Sequence, residues 1–250
     1  MRHPLFLLAC IFAASTLAAP PTTAPYDCRW TDHPIVLNPT NPDPAWKNAV
    51  VIEHFQKFWE QGDARTPKVN TRAMLLWDAD YLYFRAEMED TDLYSYGTRH
   101  QDFLWNGDVF ELFFKPAEDK PAYYEFEVNP GNVDLELAFP DKPSKVKFDD
   151  IVSGTKIDMK TSVALRGTVN KPDDKDEGWT VEGRIPFKDL TLTGGKPEAG
   201  ATWKFALQRW DHESPPSKVQ EPSSSAPLTK PDFHRTEDYS PLHFVGPAAK

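Results

Sequence analysis

Apolar and polar residues alternate with period two along most of this chain. Across residues 81–89, Leu82, Phe84, Ala86 and Met88 alternate with Tyr83, Arg85, Glu87 and Glu89, the mark of a half-buried strand. A shorter run, 72–77, precedes it, and Asp78-Ala79-Asp80 between the two reads as a tight hairpin turn. Strand signals continue over 109–115, 123–129, 133–139, 160–168, 178–186 and 202–211, with Pro-containing turns among the earlier ones. Helical candidates are few: 44–60, with apolar residues at mixed spacing, and 187–190, long enough for one turn. Eight or more strands without a long helix between them predict an all-β protein, an antiparallel β-sandwich of jelly-roll or immunoglobulin-like type with few short helices.

The Ser- and Pro-rich segment 214–231 lacks any period and is expected to be a long loop. The residues after it, 233–245, are too few to fold alone yet carry Tyr239, Leu242, Phe244 and Val245. They are expected to return as a terminal strand and draw the loop back over the domain, where a rigid sheet would present it for function.

At the other end, Arg2 and His3 precede an apolar run and the small residues Ser15-Thr16-Leu17-Ala18-Ala19, the pattern of a secretory signal peptide. The run is too short to span a bilayer. The division expected is a signal peptide over 1–19, cleaved near Ala18 or Ala19, a flexible leader over 20–29, and one domain over 30–247, secreted or periplasmic and monomeric. With Cys10 removed, Cys28 would be the sole thiol, leaving stability to the core or to bound ions.

Composition narrows the partners. A formal charge of -10 argues against nucleic acid and against anionic membrane surfaces, both of which call for clustered Lys and Arg. The 24 Pro, 8 Trp, 8 Tyr and 16 Phe against 12 Gly favour strands and stiff turns. No nucleophile elbow, His-Glu-x-x-His, phosphate loop or Cys-x-x-Cys occurs. Aromatic residues beside hydrogen-bonding ones do stand out: Trp105 in a loop with Asp102, Asn106 and Asp108, and Phe233 with His234. Sugars require that pairing, because their CH-rich faces stack on flat rings while their hydroxyl rims need fixed donors and acceptors. Trp77, Trp179 and Trp203, by contrast, are expected in the core.

Five stretches in order carry a family resemblance: Leu75 to Tyr83, Trp105 to Phe114, Tyr123 to Asn129, Gly178 to Pro186, and Phe233 to Phe244. Over roughly residues 30–246 the sequence resembles the family 9 carbohydrate-binding modules. The resemblance implies a β-sandwich that binds sugars without cleaving them, often at chain ends, between two aromatic rings. Trp105 and Phe233 match the rings, and Glu111, Asn129, Gln208 and Asp211 match polar sugar contacts. Glu127 departs from the pattern, standing where these modules carry an Arg and replacing a fork of donors with an acceptor-only group. Arg209 could compensate, but strand alternation points it to the opposite face from Gln208. The resemblance also implies calcium, for which Asp90 and Asp92 supply hard oxygen ligands. The ligand expected is a mono- or oligosaccharide such as a xylan or cellulose chain end. Two alternatives stay open: a glycoside hydrolase or accessory component of xylan breakdown using Glu111 and Glu127, and an envelope structural protein that kept the fold and lost the site.

Overall fold

The computed structural model describes residues 25–193, 195–215 and 217–247. The expected signal peptide and residues 20–24 of the leader lie outside the described residues. Twelve strands form: β1 (Tyr26–Trp30), β2 (Val51–Ile52), β3 (Thr71–Trp77), β4 (Tyr81–Met88), β5 (Val109–Lys115), β6 (Tyr123–Val128), β7 (Asp134–Phe139), β8 (Lys160–Arg166), β9 (Gly178–Pro186), β10 (Thr202–His212), β11 (Gln220–Ser224) and β12 (Ser240–Val245). They hydrogen-bond in the order β7-β6-β5-β10-β12-β1-β3-β4-β9-β8, with β11 beside β10 and β2 beside β3. This sheet folds over on itself as a β-sandwich, and no helix among the described residues is long and apolar enough to cross a membrane.

The core lies between the two halves. Leu75, Phe84, Met88, Trp179 and Val181 from one half meet Phe110, Leu112, Phe126, Phe205 and Leu207 from the other. Trp77 and Trp203 both pack on Phe244, with ring centroids 5.3 and 4.7 Å away in edge-on geometry, so the terminal strand β12 is held by aromatic contacts as well as by its ladder. Gly183 lies directly opposite Phe84, and a Cβ there would come within 2.2 Å of the Phe84 ring. Only glycine lets the large ring lie flat across β9.

The structure corrects the sequence-based expectation in four places. Among the described residues pairing is antiparallel except at β1, which runs parallel to both β12 and β3 and makes the sheet mixed. The expected leader therefore ends early: Tyr26–Trp30 is a strand, and the side chain of Cys28 is fully buried, which pushes its thiol up and leaves it inert. The helix expected over 44–60 is a 3-10 turn, Pro44–Asn48, followed by β2, because Asp43 caps the first turn and the extended residue Ala49 ends it. The loop expected over 214–231 contains β11, which pairs with the far end of β10. One α-helix, α1 (Phe148–Gly154), was not signalled by any apolar period.

Candidate functional site

Strand alternation creates a second face. On β5, β6 and β10 the residues between the core positions point outward, and the register sets Gln208 opposite Glu111, Glu111 opposite Glu127, and Phe113 opposite Glu125. Over this face pack Leu104, Ala226, Leu228, Phe233 and Tyr239, forming a smaller apolar cluster with Phe113 and Leu137. A cavity of about 340 Å³ opens between them, at the low end of ordinary small-ligand sites. Trp105, Phe148, Trp210 and Phe233 line it together with Glu111, Glu125, Glu127 and His234.

Both rings expected to clamp a ligand are positioned by hydrogen bonds. Trp105 sits in the 3-10 turn Leu104–Asn106, stacked on Phe103 at 4.9 Å and 15° and edge-on to Phe148 at 5.8 Å. After it, Gly107 passes so close to the chain at Tyr96 that a Cβ would lie 2.6 Å from the Tyr96 nitrogen. Asp108 is fully buried and accepts from the backbone N–H groups of Tyr94 and His212, at 2.7 Å each, tying the loop to β10. Elsewhere on the lining, the carbonyl of Phe233 accepts from Tyr239 Oη at 2.7 Å and Gln208 Nε2 at 3.1 Å. The Phe233 ring then packs against Trp210, 5.2 Å between centroids.

Three carboxylates lie in the cavity wall. Oxygens of Glu111, Glu125 and Glu127 come within 4.8 Å of one another, and all three side chains are buried. Both oxygens of Glu127 and Oε2 of Glu125 accept no hydrogen bond, nor does Oε1 of the fully buried Gln208. Burial, reinforced by the neighbouring carboxylates, pushes Glu111 and Glu127 well above the usual range. Burial also raises Glu125, opposed by His234, whose Nδ1 is 3.8 Å from it and also contacts the Tyr123 hydroxyl.

The remaining expected contacts are placed elsewhere. Asn129 donates to the carbonyls of Tyr96 and Gly97 and accepts from Val133 N–H, so its amide is spent holding the Trp105 loop to the β6–β7 turn. Gln208 positions Phe233, as described above. Asp211 projects from the other side of β10, because residues three apart on a strand face opposite ways. There it pairs with Arg209 at 2.6 Å, and Arg209 also holds Asp90 at 2.9 Å. Asp90 accepts in addition from Asp92 N–H, while both oxygens of Asp92 accept from Ser214. These two carboxylates thus accept from protein donors, while Asp90, Asp108 and Asp211 bring carboxylate oxygens within 4.8 Å of one another beside the Arg209 guanidinium.

Sequence reasoning gave no role to Glu125, Phe148 or Trp210. Glu125 and Trp210 follow from alternation, being two residues from Glu127 and Gln208 and therefore on the same face. Phe148 lies on α1 and left no such signal.

A family model described as "Carbohydrate family 9 binding domain-like" matches residues 39–239. The chain belongs to that family. Among solved structures, this family 9-like domain is similar to a carbohydrate binding module family 9 from Caldicellulosiruptor kristjanssonii in complex with cellotriose. Identity is 17%, over 90% of this chain and 95% of the other, with a TM-score of 0.61. A glucose complex from the same organism gives 17% identity, 90% and 98% coverage and a TM-score of 0.60. A structure from Bacteroides uniformis gives 15% identity, 79% and 87% coverage and a TM-score of 0.60. No curated protein matches the sequence.

Proposed function

We propose that the domain binds a mono- or oligosaccharide, without cleaving it, in the cavity walled by Trp105 and Phe233. The observation that carries this reading is the convergence, in one cavity, of aromatic residues from distant segments with buried polar groups. That is the combination a pyranose needs, with rings for its CH faces and fixed acceptors for its hydroxyls. Family membership supports it, as do structural relatives solved with cellotriose and glucose. A larger groove of about 740 Å³ lies beside α1, but among the described residues Tyr124 is its only aromatic lining residue.

The hydrolase alternative has less support. A glycosidase pair works when one carboxyl keeps its proton and the other stays ionised, whereas burial drives Glu111, Glu125 and Glu127 in the same direction. The basic, apolar and small-residue pattern over 1–19 supports export of the domain.

Calorimetric titration with cello- and xylo-oligosaccharides tests the proposal. Saturable heats without product are expected, and Trp105→Ala should cost about 1–3 kcal/mol of binding, the worth of one large apolar contact. Absence of binding across a broad glycan panel contradicts it.

A further inference from the structure

The polar wall of the cavity is unusual for a neutral sugar. A hydroxyl has one proton to donate and lone pairs that seek donors in return. Glu111, Glu125 and Glu127 offer acceptors, and the cavity lining contains no Lys or Arg among the described residues. Glu127 is fully buried with both oxygens unpartnered, and the unpartnered, fully buried Oε1 of Gln208 belongs to the residue directly across from Glu111. A buried acceptor left unmade costs about 1–3 kcal/mol, so four such atoms in adjoining side chains point to a donor-rich ligand.

We propose that this cavity selects a sugar bearing a primary ammonium group, a hexosamine of the glucosamine class, with its nitrogen among Glu111, Glu125 and Glu127. The inference rests on the reading of the cavity as a sugar site and deepens it. An ammonium is the one sugar substituent with three donors on a single atom. Each of the three offers a carboxylate oxygen within 4.8 Å of the other two, close enough for one ammonium group to reach all three. Trp105, Trp210 and Phe233 line the same cavity and supply apolar ring surface for the pyranose. A bare divalent ion would also be attracted by three carboxylates, but it would leave the aromatic-walled space above them unused. Burial of the three glutamates favours their protonated forms, and an ammonium ligand supplies the charge that lets them ionise.

The test is calorimetry on the whole domain with four probes: a β-1,4-linked glucosamine trisaccharide, its fully N-acetylated counterpart, cellotriose, and calcium chloride alone. At a pH slightly below neutral the glucosamine trisaccharide should bind at least about tenfold more tightly than either neutral sugar. That ratio should fall toward one in Glu127→Gln, and in the wild-type protein as the pH is raised until the amine loses its proton. Glu111→Gln serves in the same way if Glu127→Gln does not fold. Equal affinities for the three sugars would overturn the amino-sugar inference and leave the sugar site standing. Failure of every sugar to bind would overturn both. Calcium that raises Tm through Glu127 and blocks the trisaccharide would make the cluster a metal site and overturn the inference.

Discussion

At the scale of single residues, Glu127 and Arg209 show how alternation on adjacent strands separates two kinds of buried charge. Arg209 is buried with Asp90 and Asp211 as partners, and its removal would leave carboxylates without a counter-charge. Arg209→Met should therefore cost about 3–5 kcal/mol in denaturant unfolding; a loss below about 1 kcal/mol would show that the pairs contribute little. Glu127 is buried beside Glu111 and Glu125 with no ion pair among the described residues, so its carboxylate opposes folding once ionised. Glu127→Gln keeps the shape and removes the charge. Near pH 8 it should stabilise the domain by about 1–3 kcal/mol, about 2–10 °C in Tm. The gain should shrink in mild acid, where the wild-type side chain keeps its proton. A variant that melts lower at both pH values would contradict this account of Glu127. Stability withheld at one residue of a cavity wall is what a ligand site is expected to show.

Among the elements, the loop carrying Trp105 and the segment carrying Phe233 are held to the sheet by a few named bonds. Asn129→Ala removes three of them, from Tyr96, Gly97 and Val133. It should lower Tm and weaken sugar binding together, at about 1–3 kcal/mol of stability. If Asn129 instead touched the sugar, affinity would fall with Tm unchanged. Tyr239→Phe removes one of two donors to the Phe233 carbonyl and should cost about 1 kcal/mol or less, since Gln208 still donates to it. Much of this was legible in the sequence, because Glu111, Glu127 and Gln208 share a face by alternation alone and Trp105 precedes the Asn106-Gly107 turn. Less legible was β11, whose residues Gln220–Ser224 contain Pro222 and no alternation. They form a strand only because β10 extends far enough to pair with them, and an edge position tolerates the proline. Similarly, β1 is short and next to Pro-rich sequence, and its parallel place between β12 and β3 depends on partners at the far end of the chain and some fifty residues away. The positions of Asn129 and Asp211 differ from expectation for a related reason: the family resemblance specified residue types by order, whereas their use depends on turn geometry and side-chain direction.

For the whole molecule, an acidic chain with several buried carboxyls should be sensitive to alkali. Burial, then the charge of Asp134, pushes Glu136 up from 4.5 to about 8, and the three cavity glutamates shift in the same direction. The folded protein therefore holds protons that the unfolded chain releases, so stability is present in mild acid and lost as pH rises through the folded-state values. Tm should fall between about pH 5 and about pH 8, less steeply in Glu127→Gln; a Tm that rises over this range would contradict the assignment. The sandwich itself, with its aromatic core and terminal strand, was legible from period-two patterning, whereas the mixed pairing and the exact cavity walls arise from how the single sheet folds over. The most direct test of the sugar site is a crystal structure of the domain grown with a trisaccharide. A pyranose ring between Trp105 and the Phe233–Trp210 wall, with a polar group at Glu127, is the predicted result. A sugar bound in the groove beside α1, with this cavity filled only by water, would contradict it.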